Sequence, residues 1–107
     1  MSEKQNKEFF ETETEEALGI LTNEYANGKK TKSVALSDGR KAVIRTLNGN
    51  DMIEVNKRAS GRQEFYINAM LSVSTKIDEK HQTLEDIGEI LAKDYNKINI
   101  CNSALNF

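Results

Sequence analysis

The sequence predicts an α+β fold, with a small N-terminal β-hairpin packed on a C-terminal bundle of three to four short helices. Three observations carry it. Two runs with β-branched residues, "TKSVAL" and "RKAVIRTL", flank an Asp38-Gly39 pair. Past residue 50 the apolar residues recur at helical spacing, as in Phe65, Ala69, Met70 and Val73. The chain has 107 residues, enough for one domain.

Hydrophobic residues make up 37% and charged residues 30%, so the core is modest. A domain this short is aided by partners or by homo-oligomers. "MSEKQNKEFF" carries no apolar leader, and no run approaches the roughly 20 apolar residues of a membrane span. A single cysteine, Cys101, forms no internal disulfide. A reducing, cytoplasmic setting is expected.

Residues 1–30 read as an acidic arm. Its first 16 residues hold six Glu and two Lys around Phe9 and Phe10, with no buried stripe. Leu18, Leu21 and Tyr25 then allow a short helix over 17–27, stopped at Asn27-Gly28. Residues 31–107 form the domain.

The hairpin comes first. Asp-Gly favours a two-residue turn, because both turn positions want positive φ. That turn pairs Ser37 with Arg40 and Val34 with Val43. It sets Val34, Leu36 and Val43 on one face, and Ala35, Ala42 and Ile44 on the other.

The corner "RTLNGND" follows, with Arg45, Leu47, Gly49, Asn50 and Asp51. Asn48-Gly49 breaks the strand. Asn50 is expected to cap a helix from about Asp51, its side-chain oxygen taking orphan amides of the first turn. Asp51 and Glu54 then face the positive helix end.

That helix runs to about residue 60, with Met52, Val55 and Ala59 on one stripe, and "SGR" interrupts it. The next spans about 62–74. "KIDEKHQT" reads as a polar loop around Ile77. Thr83 caps a helix with Asp86 three residues on, and Leu84, Ile87, Ile90 and Leu91 give that helix its face. The last helix, about 93–105, aligns Tyr95, Ile98, Cys101 and Leu105.

No catalytic, metal or cofactor-binding residue is assigned. His81 and Cys101 are each the sole residue of their type and have no neighbour at ligand spacing. The glycines are isolated, so no phosphate-cradling loop exists. Residues 29–62 hold nine Lys/Arg against three acids. A duplex contact through phosphates is therefore the alternative function, a small nucleic-acid-binding or regulatory module. That segment has no aromatic residue for stacking on unpaired bases.

The order of elements resembles the small tail assembly chaperones of Mu-like tailed phages and prophages. The family shows a strand entering an R-x-L-x-G-x-D corner, matched by Arg45, Leu47, Gly49 and Asp51. It also shows an I-D-G-K-like loop before T-x-E-D-[LI]. Ile77, Asp78, Lys80, Thr83, Glu85, Asp86 and Ile87 match, and Glu79 stands where glycine is common. The match covers about residues 31–107. The resemblance implies a non-enzymatic protein that binds the tape-measure protein, and perhaps tube subunits, before tail polymerisation. It implies no cofactor, and absence from the finished particle. Such a domain would cover the apolar face of a long helical client. Tyr95, Ile98, Leu105 and Phe107 are the expected partner-binding residues, with self-association of the isolated chain through the same region.

Overall fold

The computed structural model describes residue 15 and residues 17–107. The element order is β1 (Leu21–Glu24), β2 (Lys30–Ala35), β3 (Lys41–Arg45), α1 (Gly49–Ala59), a 3-10 turn (Gln63–Phe65), α2 (Tyr66–Ser74), β4 (Thr75–Ile77), β5 (Lys80–His81), α3 (Leu84–Gly88) and α4 (Ala92–Asn106). The fold is α+β, and the expected hairpin is the centre of a five-stranded antiparallel sheet ordered β1-β2-β3-β4-β5. The α1–α2 pair is inserted between β3 and β4, two strands that lie side by side.

Three strands, β1, β4 and β5, arise where none was expected. The helix over 17–27 stops at Gly19, whose φ is 72°, and Leu21–Glu24 pairs with Lys30–Ser33 instead. Pairing with β2 outweighs a weak helical period of three residues. The "polar loop" at 76–83 is a hairpin in which Lys76 pairs with His81 and Ile77 with Lys80. Its turn residues Asp78 and Glu79 both take positive φ, 49° and 66°. That is the conformation a two-residue hairpin demands and glycine or asparagine supplies more cheaply. The arm's Phe9 and Phe10 lie outside the described residues.

The register of the central hairpin differs by one residue from the expected one. Val34 pairs with Ala42 and Ser33 with Val43. Only Gly39, at φ 90°, takes positive φ in this turn, so Asp38-Gly39 cannot form the expected two-residue turn. The loop has three residues, closed by Leu36 N–H donating to the Arg40 carbonyl at 2.8 Å and Gly39 N–H to that of Leu36 at 3.0 Å. A slip of one flips a strand's side chains to the opposite face. Here it collects Val34, Leu36, Ala42 and Ile44 on one side, all buried.

On that side the core forms. Leu71 of α2, Ile87 of α3, and Ile98 and Cys101 of α4 close over Val34, Leu36, Ala42, Ile44 and Ile77. A second cluster joins Val55 and Ala59 of α1 to Ala69 and Met70 of α2. Burying each large aliphatic side chain contributes about 1.5–3 kcal/mol. The helical stripes expected on α1, α2, α3 and α4 supply these residues, except Leu71, which lies off the stripe expected on α2. Leu91 departs from its expected face and is exposed.

Candidate functional site

The corner is built by side chains that close backbone groups. Asn48, not Asn50, is the N-cap of α1. Its Oδ1 accepts from Asp51 N–H at 3.0 Å, and the Asp51 carboxylate accepts from Asn48 N–H at 2.9 Å. From Asn50 the reciprocal partner three residues on would be Ile53, which has no acceptor, so a capping box can form only from Asn48. Arg45 grips the same carboxylate with both terminal nitrogens, at 2.8 and 3.0 Å. The hydrogen bond from Arg45, helped by the Asn48 amide, holds the Asp51 carboxyl below its usual pKa. Gly49 opens α1, and a Cβ there would meet nothing within 4 Å. Nothing in the structure requires a glycine at that position.

Helix α4 locks the corner from the far end of the chain. Leu47 N–H donates to Asn106 Oδ1 at 2.7 Å, and Asn106 Nδ2 donates to the Arg45 carbonyl at 3.2 Å. The other matched segment is structural too. Thr83 and Asp86 form a second capping box. Asp78 accepts from Lys41 N–H at 3.0 Å. The residues "RTLNGND" therefore make a corner that the fold needs, and no reacting group sits there.

The expected partner residues separate. Ile98 is 1% exposed and belongs to the core, so it cannot touch a partner. It lies on the α4 stripe that packs against the sheet, as the helical spacing of a core residue requires. Tyr95 and Leu105 are half-buried against the same cluster. The Tyr95 hydroxyl donates to Asn68 Oδ1 at 2.6 Å. Phe107 is 74% exposed at the end of α4. Of the four, only Phe107 is offered outright.

Sequence reasoning missed a second surface, the side of the sheet opposite the core. The register places Leu21, Ser33, Val43, Lys76 and His81 in one row across it, with Asn23, Thr31 and Arg45 in the next, and Ala35 beside Lys41. Among the described residues, the helices that pack on the sheet lie on the other side, α4 against β2 and β3 and α2 against β3 and β4. Leu21, Asn23, Ala35, Lys41, Lys76 and His81 are exposed. Tyr25 follows β1 on this side and borders a groove of about 300 Å³ with Thr31, Arg45 and Thr46. The helical spacing of Leu18, Leu21 and Tyr25 hides this surface, because Leu21 lies on a strand and Tyr25 just beyond it.

The cations of residues 29–62 are largely engaged. Lys32, Arg40, Arg45, Arg58 and Arg62 each meet a carboxylate at 2.7–2.9 Å. Lys32 is buried on the core side, where Glu15 and Thr22 hold its ammonium. Five of the nine charges are thus paired with a carboxylate within the fold, Arg40 and Arg62 in exposed pairs.

Cys101 is fully buried, and burial pushes its thiol up to about 11. His81 lies exposed on the edge strand β5. The two do not form a nucleophile and base. Among the described residues no cluster of three or more His, Cys, Asp or Glu side chains could hold a metal ion. No helix among them is long and apolar enough to cross a membrane. No protein-family model, curated protein or solved structure matches the chain.

Proposed function

We propose that this chain is a tail assembly chaperone, a protein of the host bacterial cytoplasm that shields the apolar face of a tape-measure protein and leaves before the particle is complete. The observation that carries this reading is the set of apolar side chains left outside the core. Leu21 and Tyr25 are exposed on the side of the sheet that no described helix covers, and Phe107 at the end of α4. Large apolar side chains exposed on a small domain are candidates for contact with a partner. The family's matched residues add support, because Arg45, Asp51, Asp78, Thr83 and Asp86 all close backbone or charge requirements of this fold.

The physical task suits such a protein. A long amphipathic helix aggregates through its bare stripe until polymerisation covers it. A transient partner needs only modest affinity and a surface that releases. The test is co-expression with the long helical tape-measure chain encoded in the same genome. The expected result is a soluble complex that survives size-exclusion chromatography. A tape-measure chain equally soluble alone, with no complex formed, overturns the reading.

A further inference from the structure

We infer that the side of the sheet opposite the described helices is the client-binding face and that it selects an acidic amphipathic segment; this rests on the chaperone reading above. The face is divided. Its β1–β2 half presents Leu21, Ala35 and, beyond the strand, Tyr25, among Asn23, Thr31 and the buried Ser33. Its β3–β5 half presents Lys41, Arg45, Lys76 and His81, with Val43 between them.

Among the described residues two acids border the face, and only one of them is paired with a cation. Asp51 is gripped by Arg45, and Asp78 accepts the Lys41 amide. Lys41 and Lys76 against Asp78 leave a small positive excess on one half, and the other half carries no charged residue among those described. A helix lying across it places an apolar stripe on Leu21, Ala35 and Val43. Acidic residues along one flank then meet Lys41 and Lys76. Charge complementarity of this kind sets orientation and partner choice more than raw affinity.

A second copy is a poor occupant. Among the described residues it brings the same lysines to the contact and only Asp78, beside Lys41, to meet them. Nucleic acid is also disfavoured. It offers no apolar surface to Leu21, and the arginine of the face is tied to Asp51.

The experiment uses the full chain and overlapping 20-residue peptides that tile the tape-measure protein. Binding is measured at ~150 mM salt, where non-specific charge contact is weak. The acidic amphipathic peptides are expected to bind. The variant Lys41→Glu/Lys76→Glu, which leaves the Lys41 backbone bond to Asp78 intact, is expected to lose at least about tenfold in affinity while its melting temperature holds. Peptides whose acids are changed to lysine should regain binding to that variant and lose it to the parent.

Preference for neutral or basic peptides overturns the inference. So does unchanged capture by the double variant. A chain lacking residues 1–14 should bind as the full chain does; a large gain on deletion would make that acidic segment the occupant. A 20-base-pair duplex binding through the same two lysines at this salt would assign the face to nucleic acid. If the whole tape-measure chain is captured equally by parent and variant, the chaperone reading stands and this face is not its site. If the parent captures neither peptides nor whole chain, the reading itself fails.

Discussion

Asp94 holds Ser37 twice, through the backbone N–H at 2.9 Å and through the hydroxyl at 2.7 Å. Fifty-seven residues separate the two. The contact ties the turn of the central hairpin to the first turn of α4, and Asp94 is 2% exposed. Burial by itself raises the pKa of this carboxyl. The two bonds from Ser37, with help from Lys97, outweigh burial and lower it below 3.8.

A charge-assisted bond to a buried carboxylate contributes about 1.5–3 kcal/mol. Asp94→Ala is therefore expected to destabilise the fold by that order, several degrees in thermal midpoint for a domain of this size. The pH dependence has a definite sign. The folded pKa is depressed, so the contribution is fully present above the unfolded value near 3.8. It is lost as pH falls below that value toward the folded pKa. Urea midpoints of the parent should fall across this window, and those of Asp94→Asn should fall less. Parallel curves would show that Asp94 contributes nothing to acid sensitivity.

The two asparagines of the corner are expected to differ. Asn48→Ala removes the cap and should cost about 0.5–2 kcal/mol. Asn50→Ala touches an exposed position in the first turn of α1 and should stay within about 0.5 kcal/mol. Chemical denaturation of both variants decides between the positions. Equal losses would remove Asn48 from its role.

The end of the chain divides at Asn106. Its amide bridges the Leu47 N–H and the Arg45 carbonyl, so removing residues 103–107 should loosen the corner and lower the melting temperature. Phe107→Ala leaves that bridge intact and should change stability by less than about 0.5 kcal/mol. A comparable loss for the single substitution would place the Phe107 ring in a structural contact. Pull-down of the tape-measure chain with the same substitution reports whether this ring adds to the client surface.

Glu79 holds a φ of 66° in the β4–β5 turn. A non-glycine residue in the left-handed region costs about 1–2 kcal/mol, offset in part by the extra freedom glycine gives the unfolded chain. Glu79→Gly should therefore stabilise the protein, by up to about 1 kcal/mol. Thermal melts check the sign. A lower midpoint would show that the Glu79 side chain makes a contribution larger than the backbone strain.

What the sequence determined by itself was local. Helical spacing marked Val55, Ala59, Ala69, Met70, Ile98 and Cys101, all of which are buried. Thr83 and Asp86, three residues apart, announced a capping box that forms as read. These features depend on contacts within a turn or two, and spacing along the chain encodes them directly. Tertiary structure decided everything that depends on pairing between distant segments. Leu21–Glu24 became a strand because β2 was beside it, and Lys80–His81 because β4 was. The one-residue slip of the β2–β3 hairpin turned on burying Val34, Leu36, Ala42 and Ile44 together under α4 and α2, which no local pattern records. The same slip put Val43 on the opposite face, in one row with Leu21 and Lys76. A sheet face is assembled across strands, so its chemistry is legible only once the register is set.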